Sequence, residues 1–214
     1  MSTTSTADPA ILVGPTYDRP PPSLVGRFRG VSVAAVSDAQ HRLWVIDGAI
    51  APVWPGASCV GPALPVYTRG GDNLAVHQAL EIAHPGDVLV VNGQGDTTHA
   101  LFGGLMAARA RHLGLAGIVI DGAVRDVDAI AEFGLPVYAR ASTPAGPYKH
   151  GPAEIGVPIA CGGVVCAPGD IVCGDGDGVA IVPRDRAERV SERVADILRK
   201  EEDLNQSRGD EPLI

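Results

Sequence analysis

Two adjacent side chains of opposite charge, Arg125 and Asp126, follow an apolar run and carry the most evident chemistry in this 214-residue chain. A planar guanidinium suits a carboxylate ligand, which it can hold through two parallel hydrogen bonds. The carboxylate beside it suits a hard divalent cation such as Mg²⁺, which takes oxygen ligands. A plainer reading stands next to this one: Asp126 caps the helix that follows, and Arg125 is its solvated neighbour. The readings are compatible, because one carboxylate can both cap and bind.

The second feature is Gly103-Gly104, placed between an apolar run and a helical pattern. Inside a helix each glycine would cost about 1 kcal/mol relative to alanine. At a helix start that penalty largely disappears, and bare N–H groups are left facing outward as an anion site reinforced by the helix dipole. The helix is therefore expected over 105–113, with Arg109, Arg111 and His112 near its end and Gly114 as the left-handed stop.

Other polar candidates are weaker. Asp96 reads as a turn residue, and Asp175 with Asp177 lacks the full spacing of a calcium loop. His77 and His99 read as packing or capping residues, since no two histidines stand at zinc spacing. Cys59, Cys161, Cys166 and Cys173 contain no C-x-x-C pair and sit in apolar runs, so they read as reduced core thiols.

The surrounding elements must bring the Arg-Asp pair and the Gly-Gly pair together. Ile118 to Ile120 reads as a buried strand running into an Asp121-Gly122 turn, then Arg125-Asp126, then a helix over 127–133 closed by Gly134. Upstream lie a strand over 58–68, a helix from Leu74 to Ile82 capped by Asp72, a strand over 88–91, and a glycine-rich loop over 92–98. If the strands before Gly103 and Arg125 are adjacent and parallel, both loops fall at one sheet edge. Nearer the amino terminus, Ser23 caps a helix over 24–29, Ser37-Asp38-Ala39 starts another, and 43–46 reads as a strand. Beyond the site come a strand over 136–141, a surface loop over 142–156, and a hairpin of 171–173 with 179–182. A charged amphipathic helix over about 184–205 closes the chain.

Bulk properties limit the function classes. A formal charge of −8 with no basic patch argues against nucleic acid as partner. No apolar run approaches the ~20 residues that span a bilayer, and residues 1–9 lack an apolar leader core. No membrane association and a cytoplasmic location are thus expected. Residues 1–22 read as an arm and residues 23–214 as one domain.

Taken in order, Gly71–His77, Pro85–Val91, Gly104–Ala107, Gly117–Asp126, Pro168–Asp170 and Asp175–Val179 resemble the RraA-like family. That family includes 4-hydroxy-4-methyl-2-oxoglutarate/4-carboxy-4-hydroxy-2-oxoadipate aldolases and the regulator of ribonuclease E activity A. The resemblance spans about Leu24 to Arg186. It implies an α/β fold, a layered α/β/β sandwich with a C-terminal helix, assembled as homotrimers or homohexamers with sites between subunits. For the aldolase branch it implies that catalytic Arg125 binds a small 2-keto acid and catalytic Asp126 holds Mg²⁺ or Mn²⁺. The amides of Gly103, Gly104, Leu105 and Met106 would hold the substrate carboxylate.

The implied reaction is class II aldol cleavage to pyruvate, with oxaloacetate decarboxylation as a companion. The alternative is a non-catalytic regulatory protein. Many aldolase-branch members carry an acid where this chain has Gly104. A neighbouring subunit's C-terminal helix is implied to supply another acid, for which Glu192, Glu201 and Glu202 are the candidates. Lys149 and Lys200, the only lysines, fall in a loop and the last helix, so no Schiff-base lysine is expected.

Overall fold

Four of the apolar runs lie side by side as the parallel centre of one large sheet in the computed structural model, which describes residues 11–208. The chain begins with strand β1 (Ile11–Val13), helices α1 (Pro22–Gly26) and α2 (Val33–Ala39), and strands β2 (Ala51–Pro52) and β3 (Cys59–Thr68). It continues through α3 (Leu74–Ile82), β4 (Val88–Phe102), α4 (Gly104–His112), β5 (Gly117–Val124), α5 (Val127–Glu132) and β6 (Val137–Ser142). Short strands β7 (Ala153–Ile155), β8 (Ile159–Cys161) and β9 (Val164–Cys166) lead to the hairpin β10 (Ile171–Asp175) and β11 (Gly178–Val182). A 3-10 turn at Arg184–Arg186 opens α6 (Ala187–Arg208). The sheet order is β1-β7-β3-β4-β5-β6-β2, with β3 to β6 mutually parallel.

The layers follow from strands that are apolar on both faces. Leu64, Leu89, Val91, Ile118 and Ile120 point to one side, where they pack on Val76, Leu80, Met106, Ala110 and Ile130 of α3, α4 and α5. Their alternates Ala63, Val88, Val90 and Val119 point to the other side, against Val172, Val179 and Ile181 of the hairpin. The hairpin repeats the alternation, because Ile171, Cys173, Ala180 and Val182 face α1, α2 and α6. Each fully buried aliphatic side chain contributes roughly 1.5–3 kcal/mol from apolar burial. The expected α/β/β layering with a C-terminal helix is present. Strand β3 joins the layers: Cys59 to Pro62 pair with β10, and Ala63 to Tyr67 pair with β4.

Several local expectations are corrected. The first helix starts at Pro22, not beyond Ser23, with proline at its first position and no side-chain cap. Ser37-Asp38-Ala39 ends α2; its cap is Ser32, whose Oγ accepts from Ala35 N–H at 3.2 Å. Residues 43–46 form only a bridge from Val45 to Ala180. The first turn of α3 is tied by Asp72, as expected, but Asn73 holds the N-cap position. Asn92 to Thr98 is not a free loop: β4 continues to Phe102 through repeated register shifts. Asp121-Gly122 is no turn either. The Asp121 carboxylate is held by Arg140 Nε at 2.7 Å and Gly162 N–H at 2.9 Å, so the strand runs on to Val124. Part of the arm, Ile11–Val13, pairs with β7, which lies in the stretch expected to be loop. Residues 1–10 of the arm lie outside the described residues.

Candidate active site

Helices α3, α4 and α5 follow β3, β4 and β5, three adjacent parallel strands, so all three helices start at one edge of the sheet. Their N-terminal dipoles therefore share that edge, the usual place for ligands in α/β sheets. This brings together Gly103-Gly104 and Arg125-Asp126, as the parallel-strand argument required. The Arg125 amide donates to Phe102 O at 2.9 Å, which locks the ends of β4 and β5 to each other.

Asp126 stands at the N-cap position of α5 but makes no side-chain cap there. Its backbone is left-handed, with φ 58° and ψ 43°, a conformation aspartate tolerates better than most residues. The carboxylate consequently reaches α4 instead, where Oδ2 accepts from Gly104 N–H at 3.0 Å. Arg125 Nε lies 3.6 Å from the same oxygen, and the two side chains are 42% and 50% exposed. Gly103 is required by this approach. A Cβ there would stand 2.8 Å from Asp126 Oδ2 and 2.9 Å from Arg125 Cγ. Its φ of −160° is ordinary extended backbone, so the requirement is steric. At Gly104 a Cβ would meet Ala129 Cβ at 3.2 Å, a tight fit that a small shift relieves.

The Gly104 amide is thus taken by Asp126, while the Leu105 and Met106 amides have no acceptor among the described residues. Leu105 itself is 89% exposed. Two cavities flank the Arg125-Asp126 pair. One, of about 320 Å³, lies toward Ser142, Thr143 and Pro144. The other, of about 180 Å³, is shared by Gly103, Leu105 and Met106 with three side chains the sequence reading did not assign: Asn73, His77 and Lys149.

Lys149 enters because buried Asp72 folds its loop back over the sheet edge. Asp72 Oδ2 accepts from His150 N–H at 2.6 Å and Gly151 N–H at 3.0 Å, while Asn73 N–H donates to Tyr148 O at 3.0 Å. Lys149, expected only as a loop residue, therefore lines this cavity. His77 is half-buried in the second turn of α3. Burial, aided by the charges of Lys149 and Arg109 and opposed by Glu81, holds its imidazole below the ordinary range. The motif Gly71–His77 was the available signal for Asn73 and His77; for Lys149 there was none.

The remaining candidates lie elsewhere. Asp96, expected in a turn, lies within β4 between two register shifts, where its Oδ1 accepts from Thr98 N–H at 2.7 Å. Asp175 holds Val33 N–H at 2.8 Å and Asp177 N–H at 2.9 Å, tying the hairpin to α2. Glu192, Glu201 and Glu202 are exposed on α6 and line neither cavity. The four cysteines are free and buried.

Among the described residues no group of three or more metal-ligating side chains converges. Asp126 alone still fits a hydrated Mg²⁺ or Mn²⁺. Its carboxylate is half-exposed beside a cavity, and Oδ1 has no protein partner among the described residues. Mg²⁺ commonly keeps several waters and binds through one or two carboxylates. No helix among the described residues is long and apolar enough to cross a membrane.

Comparison with known proteins gives the chain's relatives. The family described as RraA-like, Aldolase/RraA, matches residues 33–181. A Halalkalibacterium halodurans protein named "Putative 4-hydroxy-4-methyl-2-oxoglutarate aldolase" is 40% identical over 169 residues, 79% of this chain and 80% of that one. The 4-hydroxy-4-methyl-2-oxoglutarate aldolase of Thermus thermophilus is 39% identical over 112 residues, 52% of this chain and 68% of its own. The crystal structure of Streptomyces coelicolor RraAS2, described as an unusual member of the RNase ES inhibitor RraA protein family, superposes with a TM-score of 0.77. It is 31% identical and covers 86% of this chain and 97% of its own.

Proposed function

The chain belongs to the RraA-like Aldolase/RraA family, and on that premise we propose that it is a divalent-metal-dependent aldolase cleaving 4-hydroxy-2-oxo acids to pyruvate. Oxaloacetate decarboxylation is the companion reaction, since loss of CO₂ from C4 leaves the same enolate. The observation that carries the reading is the left-handed Asp126. It puts Oδ2 on the Gly104 amide at 3.0 Å and 3.6 Å from Arg125 Nε, and leaves Oδ1 without a protein partner among the described residues.

In this reading Asp126 holds Mg²⁺ or Mn²⁺, which when bound supplies Lewis-acid polarisation of the 2-oxo group. The Leu105 and Met106 amides at the start of α4 receive the C1 carboxylate, where the helix dipole favours an anion. Arg125 orients the keto acid and donates to the oxygen on which charge grows as the C3–C4 bond breaks. Gly103 lets these groups close on one another. The same reading makes the chain a homotrimer or homohexamer in which Glu192, Glu201 or Glu202 of a neighbouring copy completes the site.

Pyruvate release from a 4-hydroxy-2-oxo acid and from oxaloacetate, with and without Mg²⁺ or Mn²⁺, tests the proposal. Arg125→Ala and Asp126→Ala are each expected to remove about 2.7–4 kcal/mol of transition-state stabilisation, roughly 100- to 1,000-fold in rate. Absence of metal-dependent turnover on any 2-oxo acid would sink the enzyme reading. The second reading, a regulator that inhibits an RNase E-type ribonuclease, is favoured by glycine rather than an acid at position 104 and by the likeness to RraAS2. It is the better one if turnover is absent and ribonuclease inhibition is found.

A further inference from the structure

We propose that His77 is the catalytic base that takes the proton of the substrate's C4 hydroxyl, an assignment that rests on the aldolase reading above. Retro-aldol cleavage needs two things at opposite ends of the substrate. Negative charge must be accepted at the 2-oxo group, and a proton must leave the C4 hydroxyl. The Arg125-Asp126 pair serves the first end. The second needs a proton acceptor in the same cavity.

The lining side chains can be taken in turn. A guanidinium and an ammonium are donors only, which removes Arg125 and Lys149. The Asn73 amide does not ionise and donates to Leu101 O at 3.2 Å. Asp126 is engaged by the Gly104 amide and assigned to the ion. Ala100, Phe102, Gly103, Leu105, Met106 and Pro147 carry no titratable group. His77 remains. It stands one turn into α3, its amide donating to Asn73 O at 3.2 Å, on a helix that starts at the same sheet edge as α4 and α5.

The charged groups around His77 set its state. Burial, Lys149 from the folded-back loop and Arg109 from α4 all disfavour the imidazolium, while Glu81, one turn further along α3 and itself paired with Arg109, opposes them. A nearby helix N-terminus acts in the same direction as burial, as it does for a neutral catalytic histidine in triosephosphate isomerase. At neutral pH the imidazole is therefore an acceptor. The step balances without any further reactant. The hydroxyl proton moves to the ring nitrogen as the O–H pair forms the carbonyl at C4. The C3–C4 pair becomes the pyruvate enolate, and after the carbonyl product leaves the imidazolium returns its proton, relayed by water, to C3 of the enolate, giving pyruvate and the neutral ring.

Oxaloacetate provides the discriminating control, because its decarboxylation has no hydroxyl proton to remove. We would measure kcat/KM in Mg²⁺ for 4-hydroxy-4-methyl-2-oxoglutarate cleavage and for oxaloacetate decarboxylation, in wild type and His77→Gln. The ratio of cleavage to decarboxylation is expected to fall at least ~100-fold, the low end for loss of a general base. The acid limb of the cleavage profile should vanish in His77→Gln, and in Lys149→Met it should move to higher pH because a lowering charge is gone. A ratio that stays within about threefold of wild type, the two activities moving together as a merely structural residue would make them, overturns the assignment. Persistence of the acid limb in His77→Gln does so as well. If the variant does not fold, NMR titration of the wild-type imidazoles decides: His77 titrating at or above 6.5 overturns the proposal, and titration below it supports it. Wild type that decarboxylates oxaloacetate yet cleaves no hydroxy acid overturns the base alone. Wild type inert toward both overturns the parent reading and the base with it.

Discussion

Replacing Gly103 by alanine should separate activity from stability more cleanly than any change to a charged residue. The added Cβ would stand 2.8 Å from Asp126 Oδ2 and 2.9 Å from Arg125 Cγ, whereas ordinary contact begins at 3.4 Å. Both side chains must therefore retreat by about 0.5–0.6 Å from one methyl group, the difference between those distances. They can do so cheaply, being 42% and 50% exposed, and the extended backbone at Gly103 accepts alanine. Loss of unfolded-state entropy favours alanine by roughly 0.4–1 kcal/mol, and the poorer N-cap costs about as much. Net stability should stay within ~1 kcal/mol, or about 2–4 °C in Tm for a chain of this size.

Activity should fall on the order of 100-fold, the usual consequence of misplacing catalytic groups by up to about 1 Å. Gly104→Ala is the control, since its Cβ meets Ala129 Cβ at 3.2 Å and Asp126 Oδ2 only at 3.6 Å. It should lose less than about tenfold, a smaller displacement giving a smaller penalty. Pyruvate release and scanning calorimetry on the three proteins give both readouts. Wild-type turnover in Gly103→Ala, or a collapse of Tm that accounts for the loss, would refute the steric account of this glycine.

Three further outcomes are expected. Asp72→Ala removes a carboxylate that is 1% exposed and accepts from the Leu74, His150 and Gly151 amides. It should cost about 3 kcal/mol, as for several charge-assisted bonds lost at once, and hydrogen exchange should show residues 148–151 losing protection. Arg19→Ala breaks a bidentate pair in which both Asp87 oxygens lie within 2.8 Å of the guanidinium, leaving a carboxylate that is 1% exposed. Denaturant unfolding should register a loss of about 3 kcal/mol. The depressed His77 pKa makes the unfolded chain bind the extra proton first, so stability rises with pH through the window just below 6.5 and its contribution is lost as pH falls. His77→Gln should flatten that part of a Tm-against-pH curve.

Much of the frame was legible in the residues themselves. Runs such as Val88-Leu89-Val90-Val91 and Ile118-Val119-Ile120 are apolar at every position, which only a strand buried on both faces explains. Gly103-Gly104 marked the start of α4 because glycine is costly inside a helix and useful at its end. Local turn chemistry misled where long-range partners intervened. Asp121-Gly122 has the composition of a turn, yet Arg140 and Gly162 hold the carboxylate and keep the strand extended. Ser37-Asp38-Ala39 looks like a cap, but Ser32 starts α2 and the helix is already ending there.

The sequence by itself therefore determined the cores of the central parallel strands, their two-sided burial and the Arg125-Asp126 and Gly103-Gly104 pairs, because each is written in neighbouring residues. Which groups share the site was decided only in three dimensions. Asp126 sits where a cap of α5 belongs, but its left-handed backbone sends the carboxylate to α4, 22 positions away in sequence. Lys149 reaches the cavity because Asp72 holds amides 78 and 79 positions further along the chain. Periodicity reports which face of an element is buried. It carries no information about which distant backbone amide a buried carboxylate will satisfy, and here that choice brings Lys149 into the cavity that Arg125 lines.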